Sequence, residues 1–441
     1  MLVIALLVSL LFIVISAQRY KLHPFLGLLG GAMIYALLSG MDLEQLVSCI
    51  NEGFGKIMGG IGLIILFGVM IGTFLERSGG AIALANKILT WVGEKYVTLS
   101  MMVTGFVISI PVFADSGFVI MSPLNKILSR RSAVPIAATT AALAIGLMAS
   151  HVMVPPTPGP VAAAEILGAP LGKVMLWGLL VSGITCMVCY VVINKFISKI
   201  TIASATSQDI EDQPSYDEVA PGKAFLPILI PILLIVLGTI NELPSQPFGS
   251  NVLSDWIGFV GTPAIALLVG LFFSFLLPKR FELSMISATG WLGDAVKQAA
   301  PILLITGAGG IFGQVLKESA MGDLIGDVFQ GSDLGLLIPF LLAAALKTSQ
   351  GSSTVALLTT ASIVSSLLPT LGLDTEWMTV LTVLSIAAGS AVISHVNDSF
   401  FWVITQMTDL TVGEGYKIQS LMTAVFGCTA MAIIFILSLI F

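Results

Sequence analysis

Ile110-Pro111-Val112-Phe113-Ala114-Asp115-Ser116-Gly117 interrupts the apolar stretch 97–128, and Lys347-Thr348-Ser349-Gln350-Gly351-Ser352-Ser353-Thr354 interrupts the apolar stretch 334–368. In each, two apolar segments of about a dozen residues flank a polar or proline-bearing centre. Even fourteen helical residues rise only about 21 Å, too little for a hydrocarbon core of about 30 Å. Each stretch is therefore expected to form a re-entrant hairpin, two half-helices that enter from one side and turn back at a polar tip. Irregular backbone at that depth is tolerated only where protein or a water-filled cavity satisfies it.

Around these stretches the chain reads as membrane protein. Of 441 residues 56% are hydrophobic and only 10% charged, against about 25% charged in an ordinary soluble domain, which excludes a soluble monomer. The net charge of -6 supplies no basic face for a polyanion, so nucleic acid is not an expected partner. Ten apolar runs have the length to cross: about 2–17, 24–40, 57–75, 133–165, 174–193, 224–241, 258–278, 299–317, 378–407 and 419–441. The first is followed, not preceded, by its basic residues Arg19 and Lys21, so it reads as an anchor and not as a cleaved signal.

Positive charge tests the count. With ten crossings, two hairpins that do not cross and the N-terminus outside, the cytoplasmic side receives fifteen of the nineteen Lys and Arg. Lys56, Lys173 and Lys317 fall outside and Lys347 sits at the second tip. Counting either hairpin as a span destroys the bias. Both termini are then periplasmic. The polar stretch 200–223, with Asp209, Glu211, Asp212, Asp217 and Glu218, reads as a cytoplasmic linker.

The two sides of that linker, 1–199 and 224–441, resemble each other. Gly68, Gly72, Leu75 and Ser78 recur as Gly309, Gly313, Leu316 and Ser319, and Ser150-His151-Val152 recurs as Ser394-His395-Val396. The chain has only three histidines, so two of them in identical tripeptides is poorly explained by chance. Five crossings and one hairpin per half make an odd number of crossings, which inverts the second copy. The expected fold is all-α and polytopic, with two inverted repeats, the plan of many secondary transporters. Each half also breaks after its Ser-His-Val: at Val154-Pro155-Pro156-Thr157-Pro158-Gly159-Pro160, where prolines stop a helix, and at Asn397-Asp398-Ser399.

These breaks hold the candidate site. Half-helix N-termini with Ser116, Gly117, Gly351, Ser352, Ser353 and Thr354 suit a carboxylate, since unpaired N–H groups and the positive dipole end favour an anion; tight packing of small residues is the alternative. Lys347 needs an anion at membrane depth, either substrate or a structural partner, Asp115 or Asp398. Asp115 and Asp398 are the carboxylates at the breaks and candidates for a proton or sodium site, or else caps. Asp398 is the favoured carrier, because its break also holds an imidazole and Asn397. His151 and His395 fit proton coupling or, equally, hydrogen-bonded packing. Asn397, Thr157 and Ser399 offer neutral groups for substrate hydroxyls.

Other chemistries find little footing. No phosphate loop and no H-E-x-x-H zinc motif occurs, and Cys186 and Cys189 form a C-x-x-C inside an apolar run without a second pair. A hydrolase using Ser353 and His395 lacks a G-x-S-x-G elbow. No cofactor, no metal and no enzymatic reaction are expected. A passive anion channel or facilitator is the rival to a secondary transporter.

Phe113-Ala114-Asp115-Ser116-Gly117-Phe118-Val119, the proline run 154–160, Gly351-Ser352-Ser353-Thr354-Val355-Ala356 and His395-Val396-Asn397-Asp398-Ser399-Phe400-Phe401-Trp402 resemble the gluconate permease family of bacterial transporters over nearly the whole chain. That resemblance implies uptake of a sugar acid, or a related small hydroxy or amino acid, by proton symport through the bacterial inner membrane. It also implies membership of the ion-transporter superfamily, whose hairpin folds are often homodimeric elevators. Asp115-Ser116 stands where gluconate-type members more often carry Glu-Val, and Lys347-Thr348-Ser349-Gln350 before the second glycine is a further departure.

Overall fold

The computed structural model describes residues 2–200, 202, 219–242, 247–319 and 335–440, and every regular element among them is helical. The first half runs through α1 (Leu2–Gln18), α2 (Pro24–Ser39), the 35-residue α3 (Leu43–Arg77) and α4 (Gly80–Val92). It continues through α5 (Val97–Ile108), α6 (Ala114–Arg131), α7 (Ile136–Met153), α8 (Pro158–Leu167) and α9 (Leu171–Lys195). The second half comprises α10 (Pro221–Asn241), α11 (Val252–Gly261), α12 (Pro263–Ser274), α13 (Trp291–Lys317) and α14 (Leu337–Gln350). It ends with α15 (Ser353–Ser365), α16 (Glu376–Ala391), α17 (Ser399–Met407) and α18 (Leu421–Ile440). Apart from its two ends, the expected linker 200–223 lies outside the described residues.

Among the described residues six helices are long and apolar enough to cross a membrane, or seven if the pair α11/α12, bent by 72°, is one span. Length accounts for the difference from ten. α1 and α2, with 17 and 16 residues, rise about 25 Å. The run 378–407 divides into α16 and α17 around an irregular Val392–Asp398 segment. The run 258–278 bends at Thr262-Pro263, where Pro263 can start α12 but cannot extend α11.

α3 and α13 cross at the centre, so closely that a Cβ on Gly53 would lie 2.6 Å from the Gly310 carbonyl oxygen. Their glycines also receive the broken elements. Gly72 abuts the Pro111 carbonyl, Gly68 stands against Pro156, and Gly309 and Gly313 stand against α15, where Ser362 Oγ donates to the Gly309 carbonyl at 2.7 Å. α7 and α16 are buried on nearly every face, as expected of helices surrounded by others.

Candidate substrate and proton site

Four interruptions bring four half-helix starts into the bundle. α5 ends before Pro111 and α6 begins at Ala114; the break is held by Ser109 Oγ, which donates to the Val112 carbonyl at 2.9 Å. α7 gives way to Val154–Thr157, and Pro158 opens α8. α14 ends on Gly351 in the left-handed region, φ +81°, where a side chain is disfavoured. A Cβ there would also overlap the Asn397 carbonyl. Ser352 caps α15 by accepting the Val355 N–H at 3.3 Å. In the last break Asp398 caps α17, accepting the Phe400 N–H at 3.1 Å.

The starts differ in what they offer an anion. The N–H groups of Ala114, Asp115 and Ser116 on α6, and of Ser353 and Thr354 on α15, have no acceptor among the described residues, as is general for a first helical turn. α8 has prolines at 158 and 160, leaving Gly159 as the donor of its first turn, and Thr157 Oγ1 donates back to the Val154 carbonyl at 2.6 Å. The α17 start is occupied by the carboxylate of Asp398. Two of the four, α6 and α15, therefore carry open amide clusters.

Lys347 is the charge at the centre. Its side chain is 2% exposed and that of Asp398 8%. Nζ donates to Asp398 Oδ2 at 2.7 Å and to the Gly351 carbonyl at 2.6 Å. Of the two partners the sequence left open for Lys347, Asp398 is the one in contact. Asp398 is consequently not an unpaired carboxylate, and it accepts a further hydrogen bond from Ser394 Oγ at 2.5 Å. Asp115 is half-buried and receives the Ser399 hydroxyl at 3.1 Å, across the two halves of the chain. It lies within electrostatic reach of Asp398 and Lys347, and His151 within reach of both as well.

The remaining candidates divide. His395 Nε2 and Asn397 Nδ2 both lie 2.8 Å from the Thr348 carbonyl; a carbonyl only accepts, so Nε2 carries the proton in this contact. His151 is stacked edge-on to Phe113 with centroids 6.1 Å apart, and its Nδ1 has no hydrogen-bond partner among the described residues. Gly117 fits beneath the Leu147 side chain. Ser352 is turned toward α1 and α2, lining a small cavity with Ser16, Gly27 and Gln350, away from Asp115. The sequence reading missed the roles of Ser394, Thr348 and Ser399 in this network. Ser394 stood in the repeated tripeptide, but its bond to Asp398 depends on the folded-back path of 392–398. That path is satisfied from α18 and the turn before it: the Ser394 N–H donates to Thr423 Oγ1 at 3.0 Å, and Ser420 Oγ donates to the Ser394 carbonyl.

Known proteins match this arrangement along its length. Residues 1–440 match the family described as GntP family permease. A gluconate permease of Pseudomonas aeruginosa is 32% identical, covering 98% of this chain and 97% of its own. The inner membrane permease YgbN of Escherichia coli is 34% identical, covering 97% and 95%, and the Gnt-II system L-idonate transporter of the same organism is 29% identical, covering 91% of each. In fold, the chain is similar to the crystal structure of the Alcanivorax borkumensis YdaH transporter, with a TM-score of 0.58 at 16% identity, covering 90% and 89%.

Proposed function

The chain belongs to the GntP family of permeases, inner-membrane transporters and not enzymes, and from that premise we propose that it imports a small hydroxylated carboxylate, a sugar acid of the gluconate or idonate kind, by proton symport. In this reading the halves 1–199 and 224–441 are inverted repeats of five crossings and one re-entrant hairpin each, joined by the cytoplasmic linker 200–223, with both termini periplasmic. The hairpins and broken helices travel together against α3 and α13 as the elevator of a homodimer. Support comes from Gly68, Gly72, Gly309 and Gly313 of α3 and α13, which present bare backbone to those elements.

The observation that carries the reading is the cluster of Lys347, Asp398 and Asp115 at breaks contributed by both halves. Fully ionised, these three groups sum to one negative charge. A substrate carboxylate on the α6 and α15 amides adds a second. Like charges repel more strongly at the reduced effective dielectric of such a site than in water, so a proton taken up by the acid pair favours substrate, and substrate favours the proton, by the same factor. The proton belongs to the pair. Because Asp398 is held by Lys347, Asp115 is the member whose charge has no cation of its own in contact. Gly351, Ser353, Thr354, Ser116 and Gly117 shape the carboxylate site in this reading, and Ser352, turned toward α1 and α2, serves it only as the cap of α15. Thr157 and Asn397 face substrate hydroxyls, and His151 and His395 stand beside the proton route.

Reconstituted vesicles test it. Labelled gluconate or idonate should accumulate above equilibrium under an inward proton gradient and lose that accumulation with an uncoupler. With one proton per monocarboxylate, clamping the membrane potential should leave accumulation unchanged. Equilibration that never exceeds the outside concentration would identify a passive facilitator instead.

A further inference from the structure

A second polar space lies far from the breaks. A cavity of about 270 Å³ opens between α3 and α13 on one side and the ends of α8 and α15 on the other, lined by Lys56, Glu165, Gln314, Lys317 and Ser365. Leu167, also in its wall, closes the ten-residue α8, about 15 Å from the start of that helix at the proline break. The space is therefore separate from the Lys347 cluster. It is slightly smaller than the roughly 300 Å³ at which ligand pockets commonly begin, which sets a small ligand. Glu165 rests on bare backbone: a Cβ on Gly60 would lie 2.5 Å from its Oε1.

The chemistry of the lining is mixed. Lys56 and Lys317 are exposed and carry no ion pair among the described residues, and Glu165 likewise has none. Gln314 Nε2 is drawn toward Glu52 Oε2 and Glu318 Oε1 at 3.5 and 3.3 Å. Two ammonium groups thus face one carboxylate in the cavity, with two further acids beside it, so a bare anion gains little from net charge. A ligand with a carboxylate for a lysine and hydroxyls for Glu165 and Ser365 satisfies both kinds of group.

We infer that this cavity is a second, staging site for a polyhydroxylated carboxylate, in which a lysine holds the carboxylate and Glu165 reads the hydroxyls before the substrate reaches the helix breaks. The inference rests on the reading of the protein as a sugar-acid transporter and puts the cavity on the periplasmic side, where Lys56, Lys173 and Lys317 fall.

Sided kinetics and binding test it together. Glu165→Gln and Lys56→Gln should each raise the gluconate KM about tenfold when substrate is offered from the periplasmic side, with kcat within about twofold. From the cytoplasmic side KM should not change. A merely structural role would shift both sides equally, and either that result or unchanged KM on both sides overturns the staging site. Propionate, which lacks hydroxyls, should not compete at the cavity; equal competition by propionate also overturns it. If the wild-type protein moves no gluconate, the transport reading fails by itself, and calorimetry decides the cavity. Gluconate binding weakened about tenfold by Glu165→Gln in monodisperse protein supports the site, and unaltered or absent binding overturns it.

Discussion

Asp398→Asn removes the counter-charge of an ammonium group that is 2% exposed. Lys347 Nζ would retain the Gly351 carbonyl at 2.6 Å and an amide oxygen in place of a carboxylate. Breaking a buried pair from one side costs about 3–5 kcal/mol, because the remaining charge stays buried and uncompensated. Lys347→Met leaves Asp398 with the Ser394 hydroxyl and the Phe400 N–H, and a lone carboxyl can shed its charge by protonation, so its cost should be smaller, about 1–3 kcal/mol. The double variant Lys347→Met/Asp398→Asn removes both charges and should cost about 2–3 kcal/mol less than the sum of the two single losses, which is the coupling energy of the pair. Thermal denaturation of purified protein in one detergent provides the assay, read as an apparent midpoint because unfolding of such a protein is not reversible. Asp398→Asn should lower that midpoint by about 5 °C or more. Additive single losses, or an Asp398→Asn protein as stable as wild type, would refute the claim that the pair ties the end of α14 to the start of α17.

Asp115→Asn should keep exchange of labelled substrate across the vesicle membrane yet lose accumulation driven by a pH gradient; wild-type accumulation in this variant would move the proton elsewhere. Gly351→Ala forces a Cβ into a left-handed residue and onto the Asn397 carbonyl, so it should cost at least about 1–2 kcal/mol of stability and weaken substrate binding about tenfold or more, measured by calorimetry. A cysteine introduced at Arg131 should react with an impermeant thiol reagent only from the cytoplasmic side, and labelling from outside would reverse the orientation drawn from the positive charges.

Local chemistry made the breaks legible. Pro111, Pro155, Pro156, Gly351 and the polar pair Asn397-Asp398 discourage a continuous helix, and the interruptions fall on those residues, although Pro123, Pro227, Pro231 and Pro301 are accommodated inside helices. Lengths were less visible. α3 extends outward to Leu43 through Glu44, Ser48, Asn51 and Glu52, polar turns that an apolar run of 57–75 does not include. The choice between Asp115 and Asp398 as partner of Lys347 depended on a chain path that folds residues 51 apart against each other, a relation no local pattern encodes. Glu165, a single acid at the end of an alanine-rich helix, gave no sign that two lysines from α3 and α13 would share its cavity.

Three ion pairs across the two halves, among the described residues, share one polarity. Arg77 pairs with Asp294 at 2.7 Å, Lys126 with Asp409 at 2.9 Å, and Lys173 with Glu376. In each the cation comes from the first half and the acid from the second. A ribosome therefore delivers the cations first, and they wait for partners made later. Reversing one member of such a pair alone, as in Asp294→Lys, would set cation against cation, a repulsive element that discriminates against the wrong pairing.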